Sequence, residues 1–215
     1  PDGAGKSTIS AALEHEPLPA PVKRIYMGVN LEASGLMLPT TRLALAVKRA
    51  RGGTPDMTAA WSRAGGGDRV AGRASRAALR GVRLSLWLAE EWFRQLVATW
   101  HRMRGAVVVF DRHFVADYVL DDSSPASASE AVHRWLLRHA YPKPDLVICL
   151  DAPGEVLHRR KQEATVEWLE RRRRQYLALG GTVPHFEVVD VDRPLDVVVK
   201  DVARTVATYC EARRT

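Results

Sequence analysis

Three groups of residues have the types and spacing to do chemistry, and each suits an anion rich in phosphate. The first is Pro1-Asp2-Gly3-Ala4-Gly5-Lys6-Ser7-Thr8, which fits the pattern G-x-x-x-x-G-K-[ST] with a glycine placed immediately before Pro1. Gly3 and Gly5 let the backbone turn so that successive N–H groups face inward, and a helix behind them adds its positive N-terminus. Such a cradle holds a polyphosphate. Lys6 is spaced to reach β- and γ-phosphates, and the Ser7 hydroxyl to ligate a Mg²⁺ ion that bridges the same oxygens. Gly3, Ala4, Gly5, Lys6, Ser7 and Thr8 are therefore expected to bind ATP, with Ser7 a metal ligand.

The second group is Asp111-Arg112, which follows the apolar run Val107-Val108-Val109-Phe110 at the edge where open α/β sheets bind ligands. Asp111 is suited to hold Mg²⁺ through water or to orient an acceptor hydroxyl. The Arg112 guanidinium matches phosphate oxygens two at a time. The competing reading is a strand-ending acid that caps a turn, with its own arginine as partner. Asp151, which ends a similar run, reads better as a helix cap. The third group is Arg159, Arg160 and Lys161 with Arg171 to Arg174, on two helical stretches flanking the short turn Gln162 to Val166. Two basic helices joined by a short turn suit a lid that closes over a transferring phosphate, at about 159–174. For most of the seven, a solvated charged face is the better reading.

The elements that must position these groups follow from apolar spacing and from glycine and proline. Ser7 to Glu14 has helical composition, and Pro17, Pro19 and Pro21 end it before a strand at Val22 to Val29. Thr41 to Arg51 reads as helix, and Gly52 to Gly72 as a mobile connection. From Arg76 to Arg104, Leu79, Val82, Leu86, Ala89, Phe93, Leu96, Val97 and Trp100 recur every three or four positions, the signature of a long amphipathic helix. Ala106 to Phe110 and Leu146 to Leu150 read as buried parallel strands, each followed by an acid. Ala128 to Tyr141, Gly154 to Gln162 and Thr165 to Leu179 read as helices, His185 to Val191 as a strand, and a last helix starts at Pro194. The alternation implies a parallel sheet covered on both faces. The loop pattern further predicts a strand upstream of Pro1, and hence a chain that is the body of a longer protein.

A chain of 215 residues with 46% hydrophobic side chains can bury one sizeable core, so a single domain over 1–215 is expected. With no run of about 18 apolar residues, no membrane span is expected, and the reading is a cytoplasmic protein. The only cysteines, Cys149 and Cys210, lack the spacing of a zinc site or disulfide framework. A net charge of +7 suits nucleic acid and suits equally an enzyme for polyphosphates. The arginines from Arg49 to Arg83 have no interleaved aromatic except Trp61, so no nucleic-acid partner is expected there.

Taken together, the loop, Asp111-Arg112-His113, Pro144 to Asp151, and Arg173 with Tyr176 and Leu177 resemble the thymidylate kinase family of nucleoside monophosphate kinases. The resemblance runs through nearly the whole chain. It implies an α/β three-layer P-loop kinase fold with a five-stranded parallel sheet flanked by helices, MgATP as donor, a small-molecule phosphoryl acceptor and commonly a homodimer. It also implies that Asp2 sits by the acceptor sugar and that Arg112 holds the acceptor phosphate. Because Ala4 stands where some members place a catalytic arginine, Arg160 or Lys161 is expected to supply that cation. Arg193, just after the last strand, is grouped with the ATP-binding residues.

The chain departs from that pattern in three places. Its lid is short, and His113-Phe114-Val115-Ala116-Asp117-Tyr118 lacks the stretch that lines the family's thymine pocket. In the long helix Trp87 is placed to stack on an acceptor, but Glu90 or Glu91 stands where the family has an acceptor-binding arginine. These carboxylates, with Arg94 one turn on, suggest a hydroxyl-rich acceptor, with a non-thymidine nucleotide as second choice. The alternative is that both glutamates face solvent or pair with Arg94 and His101. The functional expectation is ATP-dependent phosphoryl transfer to a nucleotide, nucleoside, sugar or glycan end. A regulatory protein that binds nucleotide without transfer is the alternative.

Overall fold

The computed structural model describes residues 3–27, 36–50, 73–113, 128–162, 164–181 and 183–213. Asp2, the connection at 52–72 and the Arg112 side chain lie outside the described residues. In chain order the elements are α1 (Lys6–Ala12), β1 (Val22–Met27), α2 (Pro39–Ala50), α3 (Arg73–Met103), β2 (Val107–His113) and α4 (Ala128–His139). They continue with β3 (Val147–Asp151), α5 (Gly154–Arg160), α6 (Val166–Ala178), β4 (Phe186–Asp190) and α7 (Leu195–Ala212). The protein is thus mixed α/β with short parallel pairing. β1 and β2 form one two-stranded sheet. β3 pairs with β4 in parallel, from Val147 opposite Phe186 to Asp151 opposite Asp190. None of the described helices is long and apolar enough to cross a membrane.

The chain divides into two compact units: residues 1–24, 102–111 and 143–215, and residues 25–101 and 112–142. In the first, the apolar faces of α1, α5, α6 and α7 close over β3 and β4. Ile9, Leu150, Leu157, Leu169, Val189 and Val198 are all buried there. Pro153 precedes α5 with no side-chain cap of its own, and the Glu170 carboxylate of α6 accepts from the first helical amide, Gly154 N–H, at 3.1 Å. Thr165 caps α6 by accepting from Trp168 N–H at 3.3 Å. Asp151, expected as a helix cap, instead accepts a two-pronged ion pair from Arg173, at 2.7 and 2.8 Å.

In the second unit α3 is amphipathic, but the apolar stripe seen in the sequence is not the side that is buried. Val82, Leu86, Leu96 and Trp100 are exposed, whereas Trp87, Glu90, Glu91, Arg94, Gln95 and Ala98 are buried. Periodicity shows that a helix has two faces; it does not say which one meets a neighbour. On this inner face the two glutamates find partners on or beside α2 and α4. Thr41 Oγ1 and Leu38 N–H at the start of α2 donate to Glu90 at 2.9 and 3.1 Å. His133 on α4 meets Glu91 at 3.0 Å.

Candidate functional site

The Gly3–Thr8 segment forms a loop running into α1. Gly3 and Gly5 have φ of 83° and 78°, the left-handed region that a side chain disfavours. At Gly3 a Cβ would also lie 2.7 Å from the Leu157 carbonyl oxygen, so the loop sits directly on the α5 backbone. Ala4 is buried, which anchors the loop in the core of its unit while Gly5, Ser7 and Thr8 stay exposed. Gly5 then acts as N-cap of α1, and Ile9 N–H bonds back to its carbonyl at 2.9 Å. A glycine turn with positive φ ahead of a helix is the kind of backbone that suits an anion.

Ser7 and Asp111 come together across 104 residues. Ser7 Oγ donates to Asp111 Oδ1 at 3.3 Å, bringing the end of β2 to the start of α1. A hydroxyl and a carboxylate are hard oxygen donors of the kind Mg²⁺ takes, since this ion uses one or two protein oxygens and completes its shell with phosphate and water. Among the described residues no group of three or more His, Cys, Asp or Glu side chains is gathered to hold a metal. The donor set fits an ion shared with a bound phosphate. One cation here escaped the sequence reading: Arg24 on β1 donates to the Ser7 carbonyl at 3.4 Å. An exposed arginine in a strand carries no local signal of such a role.

The expected lid residues are held by other parts of the same unit. Arg160 donates to the Val191 carbonyl at 2.9 Å and lies 3.9 Å from Asp192. Lys161 ends α5 and is exposed. Arg193 donates to the Asp190 carbonyl and pairs with Asp201 at 2.9 Å. Arg173 is held in its charged form by its hydrogen bonds to Asp151 and Glu170. Burial in the β3 strand pushes the Cys149 thiol up, as fits a core thiol.

The expected acceptor residues form a buried polar cluster in the second unit. Glu91 accepts from Trp87 Nε1, and His133 Nε2 contacts both its oxygens at 3.0 and 3.1 Å. Trp87 stands edge-on to the His133 ring. Arg94 lies 3.5 Å from Glu90 and donates to the Tyr26 carbonyl at 3.4 Å. Burial lowers the Arg94 pKa, and Glu90 opposes that shift. Of the alternatives, the pairing of Glu90 with Arg94 holds, while both glutamates are buried and His101 stacks edge-on against Trp100. No sequence signal foretold His133 or Tyr141, whose hydroxyl donates to the Glu91 carbonyl at 3.1 Å.

His113, at the end of β2, packs edge-on to Tyr141, and burial lowers its pKa to about 4. Its folded-state pKa lies below the unfolded value near 6.5, so between those values the unfolded chain binds the extra proton. Stability from this group is complete above pH ~6.5 and is lost as pH falls toward ~4. At pH 5 the loss amounts to about 2 kcal/mol. Thermal unfolding at pH 7 and pH 5 tests this: the drop is expected to be smaller in His113→Phe, and equal drops refute it.

No protein-family model matches the chain.

Proposed function

We propose that this chain is an ATP- and Mg²⁺-dependent phosphotransferase of the P-loop kinase class, similar to the thymidylate kinases. In this reading the fold is the three-layer one with a five-stranded parallel sheet, working in the cytoplasm. It passes the γ-phosphoryl group to a nucleotide or a related small acceptor. The observation that carries the reading is the meeting of the glycine loop with the end of β2, Ser7 Oγ to Asp111 Oδ1 at 3.3 Å. A glycine-rich turn used only for structure has no need of a distant carboxylate beside its serine.

In this reading the Gly3–Gly5 backbone and Lys6 bind the phosphates, while Ser7 and Asp111 hold Mg²⁺, which neutralises charge on the transferring group. Arg112 is the candidate to hold the acceptor phosphate, and Arg160 or Lys161 the candidate to supply the catalytic cation. Glu91 supports acceptor recognition weakly, because both its oxygens already meet Trp87 and His133. The test is ADP release with ATP and Mg²⁺ over a panel of nucleotides, nucleosides and sugars. Release that rises only with one acceptor class supports the proposal, and ATP binding without any acceptor-dependent release refutes it. Asp111→Asn is expected to lower turnover ~10-fold or more with little change in melting temperature. A variant that melts early but keeps its activity per folded molecule makes Asp111 structural.

A further inference from the structure

The seven residues of α5 form a helix too short to hold its own place. Contacts at its end, its middle and its start fix it. At the end Arg160 donates to the Val191 carbonyl at 2.9 Å. Midway, the Leu157 side chain is fully buried, and the Leu157 carbonyl oxygen lies so close to Gly3 that only a residue without a Cβ fits. The two backbones have no slack between them, so a displacement of α5 is passed to the glycine loop. At the start Pro153 offers no side-chain cap, and the Gly154 N–H is taken by Glu170 Oε2 at 3.1 Å. Gly154 is itself pressed on α6, where a Cβ would meet the Val166 carbonyl oxygen at 2.9 Å.

Glu170 is in turn held by Arg173. Arg173 Nη1 donates to Glu170 Oε1 at 2.9 Å, while Nε and Nη2 donate to Asp151 Oδ1 and Oδ2 at 2.7 and 2.8 Å. Contacts thus run unbroken from the end of β3 through Arg173 and Glu170 to the start of α5, and along α5 to Gly3. We propose that Arg173 is a positioning residue of the phosphate site, which sets the glycine loop through Glu170 and α5 without touching the phosphates. The role rests on the reading of Gly3 to Lys6 as a phosphate cradle. The paired side of the guanidinium fork, the geometry that suits a phosphate, is already given to Asp151. The same group joins two carboxylates that would repel one another without it. A planar fork holds both in fixed directions, which the point charge of a lysine does not. Of the basic residues on α6, Arg173 is thereby set apart: its charge is spent on the protein's own acids, and its effect on the site is one of geometry.

Amide resonances of Gly3, Ala4 and Gly5, read without nucleotide, test the line of contacts, and MgATP titration calorimetry tests its consequence. Both are read at a temperature where melting curves show each variant folded. Arg173→Met keeps the length and loses the charge, and Glu170→Ala removes the link to Gly154. Glu167→Ala, the control, removes the same charge from an exposed position one turn earlier on α6. Arg173→Met and Glu170→Ala are each expected to shift the three resonances and to weaken MgATP binding by about 10-fold, the usual cost of losing a partner behind a ligating group. Glu167→Ala is expected to do neither. The sign in Glu170→Ala decides between geometry and charge, because loss of a negative charge alone tightens the binding of an anion. Should Arg173→Met not fold, Glu170→Ala carries the test, since that side chain is 34% exposed. Unmoved resonances, unchanged or tighter MgATP binding in Glu170→Ala, or an equal effect of Glu167→Ala overturns the proposal. Shifted resonances in a protein whose parent binds no MgATP refute the kinase reading and support the coupling of Arg173 to the loop.

Discussion

Lys6→Ala is expected to lower acceptor-dependent ADP release by ~10²-fold or more while leaving the melting temperature almost unchanged. Lys6 opens α1, and the side chains that tie this helix into its unit are Ile9 and Leu13, both buried. Removing the lysine takes away charge and no core volume, so the fold has little reason to respond. Its proposed role is to balance negative charge on the β- and γ-phosphates, most strongly as the phosphoryl group moves, so the loss appears in turnover. Lys6→Met keeps most of the side-chain length without the charge, and it is expected to behave like the alanine variant. Turnover above about a tenth of the parent in either variant refutes the role, because loss of a charge contact made in the transition state costs ~10² or more. ATP titration calorimetry separates the two ways of failing. Weak ATP binding places Lys6 in the ground-state site, and unchanged binding with lost turnover places it in the transition state.

The parts of the fold legible in the sequence are those set by short-range chemistry. The apolar β-branched run at 106–110 became β2, and the strand continues through Asp111 to His113. The run at 146–150 became β3 at Val147–Asp151, and 185–191 became β4 at Phe186–Asp190. Proline and glycine located the helix ends to within a few residues, and Gly3 and Gly5 adopt the positive φ that the phosphate-loop pattern requires. What the sequence hid depends on partners far along the chain. Glu90 finds Thr41 across 49 residues and Glu91 finds His133 across 42, so nothing local marks these acids as internal. Charged helix residues are exposed far more often than buried, and α3 goes against that expectation. Asp151 misled in the same way. A strand-ending acid before a helix is well placed to cap it, yet Arg173, 22 residues on, reaches the carboxylate with a two-pronged fork, and Glu170 satisfies the helix amide. In the loop, the roles proposed for Lys6 and Ser7 rest on spacing alone, whereas the contact between Ser7 and Asp111 needed the fold.

The buried acids also decide between two roles for Glu91, and the expected result is a loss of stability. Glu91→Leu removes the acceptor for Trp87 Nε1–H and for His133, two groups that are themselves buried. Leucine is close to glutamate in size, so little cavity forms, and the main cost is two polar groups left without their partner in a dry interior. Breaking a buried pair of this kind costs ~3 kcal/mol or more. For a chain of this length that lowers the melting temperature by roughly 10 °C. Glu91→Gln keeps an oxygen for one donor and is expected to lose less than half as much. Under the packing role, phosphoryl transfer per folded molecule is the same in both variants at a temperature where both stay folded. A substrate-contacting role gives the opposite pattern: a raised KM for the acceptor in Glu91→Gln, with the melting temperature scarcely moved. Measuring melting temperature and acceptor KM on the same two proteins separates the roles. The geometry favours packing, since Trp87, His133 and the Tyr141 hydroxyl on the neighbouring carbonyl surround Glu91 with the chain's own groups.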